Sequence, residues 1–337
     1  MIDLTTTYLG LPLKNPLVPS SCPLTNNIDS VRRLEDSGAA AIVLPSLFEE
    51  ELIHEQQHMT RFLDHQDIGH HEADSFLPVP DQYLSHLDKT VSLINQCKHA
   101  LEIPVVGSIN GITPSGWVDC AVDLQTAGCD AIELNLYSIE ADSKRTAADV
   151  ESDFLSIVAR LYDEVTVPVT IKLSSQFSSL SNFALNLQQQ GASGIVCFNR
   201  FYQPDIDLNT LELSPTIELS SPIESLMRIR WIALLKSQLK LSLAATGGFH
   251  GYNDIAKALL AGADAVYLCS VLMQQGHEVI GRIIKDLRFW MEEKEYQSVD
   301  QLKGSLSYDN AASPALYARG NYLEVMDSFT PSKGVKV

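Results

Sequence analysis

A short pattern recurs four times along the chain: SGAAAIVLPS at 37–46, AGCDAIELNL at 127–136, QGASGIVCFN at 190–199 and AGADAVYLCS at 261–270. Each copy sets a glycine (Gly38, Gly128, Gly191, Gly262) just past an amphipathic stretch, where a helix C-cap belongs. A short apolar strand rich in Ile and Val follows at once. Helices that hand directly to buried strands are the halves of βαβ units, and their repetition implies a parallel sheet.

Three more strands begin differently. IPVVGSIN (103–110) and VPVTIKLS (167–174) enter through a proline, whose missing N–H is tolerated at a strand's start, and LSLAATGG (241–248) ends in paired glycines. With NPLVPSS (15–21) as the first, the predicted strands are 16–21, 40–46, 104–110, 130–136, 167–173, 194–199, 241–246 and 264–269. Helical patterns fall between them, and residues 3–14 predict a hairpin turning at Gly10. Eight alternating units predict a closed (β/α)8 TIM barrel, which takes about 250 residues plus insertions. An open doubly wound sheet is the alternative. It would carry a glycine-rich turn after strand one, and PSSCPLTNN has no glycine.

The whole of 1–337 is therefore expected to be one barrel domain. Long segments after strands two and six, 47–81 and 200–223, are expected to be active-face inserts, with a loose tail over 324–337. The net charge of −18 argues against nucleic acid or an anionic membrane as the main partner. No run is apolar enough to span a bilayer and no signal-peptide pattern opens the chain, so a cytoplasmic location is expected. The six cysteines form no CxxC pair and are expected to be free thiols.

Alternation along the middle strands predicts an inward polar set at their C-terminal ends: Ser108 and Asn110, Glu133 and Asn135, Thr170 and Lys172, Cys197 and Asn199. Lys172 is the sharpest of these, because a buried ammonium needs an anion or several acceptors. Two readings stand: a structural ion pair with Glu133, and a cation facing an electron-rich ligand. At the last two strands, TGGFHGYNDI (246–255) sets Gly247 and Gly248 before a helix, and Ser270 follows strand eight. Barrels often build a phosphate site from these two loops. His54-Glu55-Gln56-Gln57-His58 matches HExxH, with His65, His70 and His71 nearby, and keeps a zinc hydrolase as a remote alternative. The flanking segment lacks the apolar periodicity of a metalloprotease core helix.

NPLVPSSCPL, ELNLYS, VTIKLS, CFNRF and ATGGFHGYNDIAKALLAGADAVYL, in this order, resemble the dihydroorotate dehydrogenase family over about residues 1–290. The resemblance implies an FMN-binding barrel that oxidises dihydroorotate to orotate. It places Ser20 and Ser21 near the flavin ring, Asn110 and Asn135 against flavin or substrate, and Lys172 at the flavin's pyrimidine edge. It assigns Asn199 to the substrate and Gly247, Gly248 and Ser270 to the FMN phosphate. The family's loop N-x-S-C/S-P-N reads Asn135-Leu136-Tyr137-Ser138-Ile139-Glu140 here, so Ser138 falls at the catalytic base position. Glu140 is the other acid–base candidate. After strand two the family's lysine is replaced by Pro45, and its substrate loop by EEELIHEQQHMTRF. A flavin protein without dihydroorotate activity, serving electron transfer or another reduction, is therefore the main alternative. The expected partners are a small-molecule substrate and an unidentified electron acceptor. The assembly is left open, a homodimer among the options.

Overall fold

Residues with strand parity sort into two apolar sets, and this sorting builds the fold. One set, including Ile42, Ile109, Leu134, Ile171, Ile195, Leu243 and Leu268, packs outward with the helices in the main core. The other, Val18, Val43, Val106, Ala131, Val196, Ala244 and Ala265, forms a separate inner cluster of small and branched side chains. Strands with an apolar residue on both faces are buried on both, as a parallel sheet requires. The computed structural model describes residues 2–55, 84–111, 117–136, 138–201, 203–318 and 330.

A two-stranded hairpin, β1 (Thr6–Tyr8) and β2 (Leu11–Leu13), comes first. The barrel strands are β3 (Leu17–Pro19), β4 (Ile42–Phe48), β5 (Val105–Asn110), β6 (Ala131–Leu136), β7 (Val169–Leu173) and β8 (Gly194–Cys197). A second hairpin, β9 (Asp205–Asp207) with β10 (Glu212–Ser214), interrupts them before β11 (Ser242–Thr246) and β12 (Ala265–Leu268). The eight-stranded parallel sheet has the order β3-β12-β11-β8-β7-β6-β5-β4. Ala40 N donates to Leu17 O at 2.9 Å across the remaining seam, between β4 and β3. The predicted barrel is the observed one.

The four recurring glycines, Gly38, Gly128, Gly191 and Gly262, all have φ between 99° and 120°, the left-handed region that ends a helix. The helices Ile28–Asp36 and Ala147–Glu164 open on Asn27 and Thr146, whose side chains accept from the backbone N–H groups three residues on, Ser30 and Asp149. Tyr8, Leu9 and Leu13 of the N-terminal hairpin belong to the inner cluster, so the hairpin fills the barrel from its N-terminal end. Leu9 N is anchored by Ser242 Oγ at 2.9 Å.

Pro45 lies within β4, inside the expected span 40–46, but the strand runs on to Phe48, and its pairing with β5 slips between Val43 and Ser46. A proline cannot donate to the ladder, and a bulge is where a strand tolerates it. The insert after β8 has structure of its own, the β9–β10 hairpin and a 3-10 turn at Pro222–Glu224. Of the insert after β4, residues 49–55 are helical and 56–83 lie outside the described residues, as does all of the predicted tail but residue 330. Beyond the last barrel helix (Val279–Glu293), residues 298–308 run back along the body, bonding Asp3, Leu259, Leu260 and Ala233 through the backbone. Among the described residues no helix is long and apolar enough to cross a membrane.

Candidate active site

Above the inner apolar cluster, toward the C-terminal strand ends, the inward positions turn polar. Ser108, Glu133, Asn135 and Lys172 are all buried there, on three adjacent strands. Lys172 Nζ lies 3.3 Å from Glu133 Oε1, which also accepts from Ser108 Oγ at 3.2 Å. Asn135 Nδ2 donates to Ser108 Oγ and to Ile109 O, both at 3.0 Å, and Asn199 Nδ2 donates to Asn135 Oδ1 at 3.3 Å. Ser46 Oγ meets Ser108 Oγ at 2.7 Å, and Ser46 N donates to Ser21 Oγ at 3.2 Å. The network thus crosses from β4 to the segment after β8. Glu133 Oε2 is buried and has no hydrogen-bond partner among the described residues. A buried carboxylate oxygen left bare is costly, so this edge of the network has room for a donor.

Beside the network lies a cavity of about 230 Å³. Ser20, Ser21, Lys172, Asn199, Gly247, Gly248 and Ser270, all expected at the site, line it together with Phe198, Tyr267 and Cys269. Gly248 has φ +89°, and a Cβ there would stand 2.5 Å from Ser225 N. Only glycine fits that turn. Ser220 joins the two phosphate-loop candidates: its Oγ accepts from Gly248 N at 3.1 Å and meets Ser270 Oγ at 2.7 Å. Behind the turn, buried Arg228 donates from Nε to Thr246 O at 3.2 Å. Burial lowers its pKa from the ordinary guanidinium value, while Glu224 opposes that shift. Backbone N–H groups, serine hydroxyls and a guanidinium at one strand-end turn suit an anionic oxygen cluster.

Tyr8 closes the floor of the site. Its hydroxyl reaches through the barrel to Thr170 Oγ1 at 3.2 Å and Tyr267 Oη at 3.0 Å. Burial pushes both phenols above their ordinary pKa, with the Glu133 charge adding to it. They remain neutral hydrogen-bonding groups.

Not every expected residue converges. Asn110 is buried opposite Asn135 in the β5–β6 register. Cys197 faces outward into the helix-packed core, because the inward position of β8 is Val196; alternation ends with the strand, and Asn199 reaches the site from the segment beyond. Ser138 lines a second cavity, of about 430 Å³, with Glu140, Arg145 and Gln176. Glu140 pairs there with Arg145 at 3.2 Å. Of the HExxH segment, Glu55 bonds His86 Nδ1 at 2.5 Å, while His58, His65, His70 and His71 lie outside the described residues. Among the described residues no cluster of three His, Cys, Asp or Glu is placed to hold a metal. Sequence reasoning missed Ser46, Ser220 and Tyr267. Ser46 stands past the bulge that hid its parity, and Ser220 lies in an insert without a periodic signal.

A parallel barrel that gathers a buried lysine, linked amides and a glycine turn at its C-terminal mouth defines a class of barrel enzymes with a small-molecule site there. The family model for dihydroorotate dehydrogenase matches residues 79–291, and the chain belongs to that family of oxidoreductases. It is 26% identical over 322 residues to the "dihydroorotate dehydrogenase B (NAD(+)), catalytic subunit" of Thermoplasma volcanium, covering 90% of this chain and 98% of that protein. To the protein of the same name from Methanocella arvoryzae it is 26% identical over 275 residues, 79% of this chain and 85% of the other. It is also 23% identical over 321 residues to the "NAD-dependent dihydropyrimidine dehydrogenase subunit PreA" of Escherichia coli, covering 90% and 76%.

Proposed function

We propose that this protein is an FMN-dependent oxidoreductase that removes hydrogen from the CH–CH bond of a small cyclic substrate, dihydroorotate or a related compound. The observation that carries this is Lys172, buried at the strand ends and held 3.3 Å from a glutamate whose second oxygen is bare among the described residues. A purely structural ion pair gains most when its remaining lone pairs are satisfied; here one is left open at a mouth that also presents amides. The donor set fits FMN. Gly247, Gly248 and Ser270 would hold the phosphate, with Ser220 and Arg228 beside them. Ser20, Ser21, Asn110, Asn135 and Lys172 would hold the ring, and Asn135 and Asn199 the substrate. FMN, when bound, supplies a two-electron acceptor for hydride.

The chain's own residues do the rest. The Lys172 ammonium, itself buried, would stabilise negative charge that develops beside it. Asn135, fixed by Ser108 and Ile109 O, orients Asn199 toward the ligand space. Ser138 or Glu140 is the proposed base, and from the wall of the second cavity either has to turn toward the mouth to take the substrate proton. Serine needs a partner to act as a base, and Glu140 must first leave Arg145. The named relatives are subunits, and a separate redox subunit is the proposed electron acceptor. A cytoplasmic location suits such an assembly.

Pro45 and Glu140, which stand where the family has a lysine and an asparagine, favour a second reading in which the substrate differs while the cofactor site is kept. Anaerobic titration of the purified, FMN-loaded protein with dihydroorotate decides between them. Bleaching of the flavin absorbance is expected from the first reading. A yellow protein left unbleached points to the second, and a colourless protein that takes up no FMN overturns both.

A further inference from the structure

Two thiols at the mouth take no part in this chemistry. β3 and β12 run parallel with Pro19 beside Leu268, and Ser20 N donates to Leu268 O at 2.8 Å. Cys269 is the next residue along one strand end, and Cys22 follows Ser21 on the other. The turn Pro23–Thr25 packs against the helix Ser270–Gln275, which keeps the two cysteines together. This brings the two thiols to one seam, where each acts on the ionisation of the other.

The two sulfurs are not equivalent. Cys22 is 8% exposed, whereas Cys269 is half-buried and lines the mouth cavity beside Lys172. One thiol is open to a small reagent and close to a fixed cation; the other waits behind it. The remaining four cysteines are all buried, and each titrates above the ordinary thiol value through burial. The Cys22 thiol and the Lys172 charge act the other way on Cys269 and bring it down to about 7. A partly exposed thiol on the same cavity wall as a fixed cation, with a second thiol on the adjoining strand end, is the arrangement of a redox-responsive pair.

We propose that Cys22 and Cys269 form a dithiol modification site for hydroperoxides, with Cys269 the attacking and Cys22 the resolving sulfur. The Cys269 thiolate attacks one peroxide oxygen. An S–O bond forms, the O–O bond breaks, and hydroxide or alkoxide leaves. The Cys22 sulfur then attacks the sulfenic sulfur. An S–S bond forms, the S–O bond breaks, and the departing hydroxide takes the Cys22 proton as water. The two thiols are oxidised by two electrons and the peroxide is reduced by two. A small-molecule thiol restores the pair by exchange. No bound flavin is required for these steps.

The test is oxidation of the purified, fully reduced protein with a small excess of hydrogen peroxide, followed by thiol counting and peptide mapping. Two of the six thiols are expected to disappear, with the Cys22 and Cys269 peptides joined and the linkage reversed by dithiothreitol. Cys22→Ser is expected to stop at a Cys269 sulfenic acid that dimedone traps, and Cys269→Ser to leave Cys22 unoxidised. Recovery of both thiols intact under peroxide that oxidises free cysteine would overturn the proposal. So would linkage of either cysteine to a different partner in the wild-type protein, a result that needs no variant to fold.

Discussion

Lys172 and Glu133 illustrate how one pair sets the character of the mouth. Both side chains are buried, so neither charge can shed its partner cheaply. Lys172→Met leaves Glu133 with Ser108 alone, and breaking such a buried pair from one side costs about 3–5 kcal/mol. Urea unfolding at neutral pH is expected to show that loss, and the double variant Lys172→Met/Glu133→Gln to recover much of it. Equal stability for the two variants would mean that Glu133 is satisfied by some other donor. Cys269 gives the pH dependence at this scale. The Cys22 thiol and then the Lys172 charge pull its ionisation down from the ordinary thiol value, to about 7. A folded-state pKa below the unfolded one contributes stability that is present above the unfolded value and lost as pH falls through the folded value. Alkylation of Cys269 is expected to level off once pH passes about 7, while Cys97, Cys120 and Cys129, raised to about 11 by burial, stay slow. Cys22→Ala, which removes the largest cause, should shift the Cys269 midpoint upward. These values lay beyond the sequence, because they depend on which strand ends become neighbours in the ring.

At the scale of elements, the four glycine-capped helix-to-strand junctions carried the fold, and all four were legible because local chemistry alone determines them. The inward polar set was legible where strands are regular, on β5, β6 and β7. It failed where the backbone departs from alternation: at β4, where Pro45 forces a bulge, and past β8, where the strand stops at Cys197. The N-terminal hairpin was legible as a hairpin, but not as the plug of the barrel, since that role rests on contacts between Leu9, Gly194 and Ser242 far apart in the chain. A Cβ at Gly194 would stand 2.5 Å from Leu9 Cδ2 and 3.2 Å from Ser242 O. Gly194→Val therefore pushes the hairpin outward, at a cost of about 1–3 kcal/mol for overpacking. Hydrogen exchange is expected to speed up first in residues 6–13. Unchanged protection of the hairpin would show that it does not depend on this seat.

For the molecule as a whole, the acidic surface and the mouth work against each other. With a net charge of −18, the chain as a whole repels a phosphate-bearing ligand, so affinity must come from groups at the site itself. The mouth holds such groups, in Lys172, Arg228 and the backbone of the Gly247–Gly248 turn, but it also leaves Glu133 Oε2 bare and the cavity unfilled by side chains. A ligand that completes this layer binds the folded chain and not the unfolded one, and its binding free energy adds to stability. With FMN as the proposed ligand, at a free concentration about a hundredfold above Kd, the gain is about 2.7 kcal/mol. For a chain of 337 residues, that corresponds to a rise in Tm of about 4 °C. Calorimetry of the ligand-free protein with and without added FMN measures it. Because the gain is linked to binding alone, Tm should climb with the logarithm of FMN concentration, and riboflavin, which lacks the phosphate, should give a smaller rise at equal concentration. Equal shifts from the two ligands would remove the phosphate role assigned to Gly247, Gly248 and Ser270 while leaving the ring site at Lys172 intact.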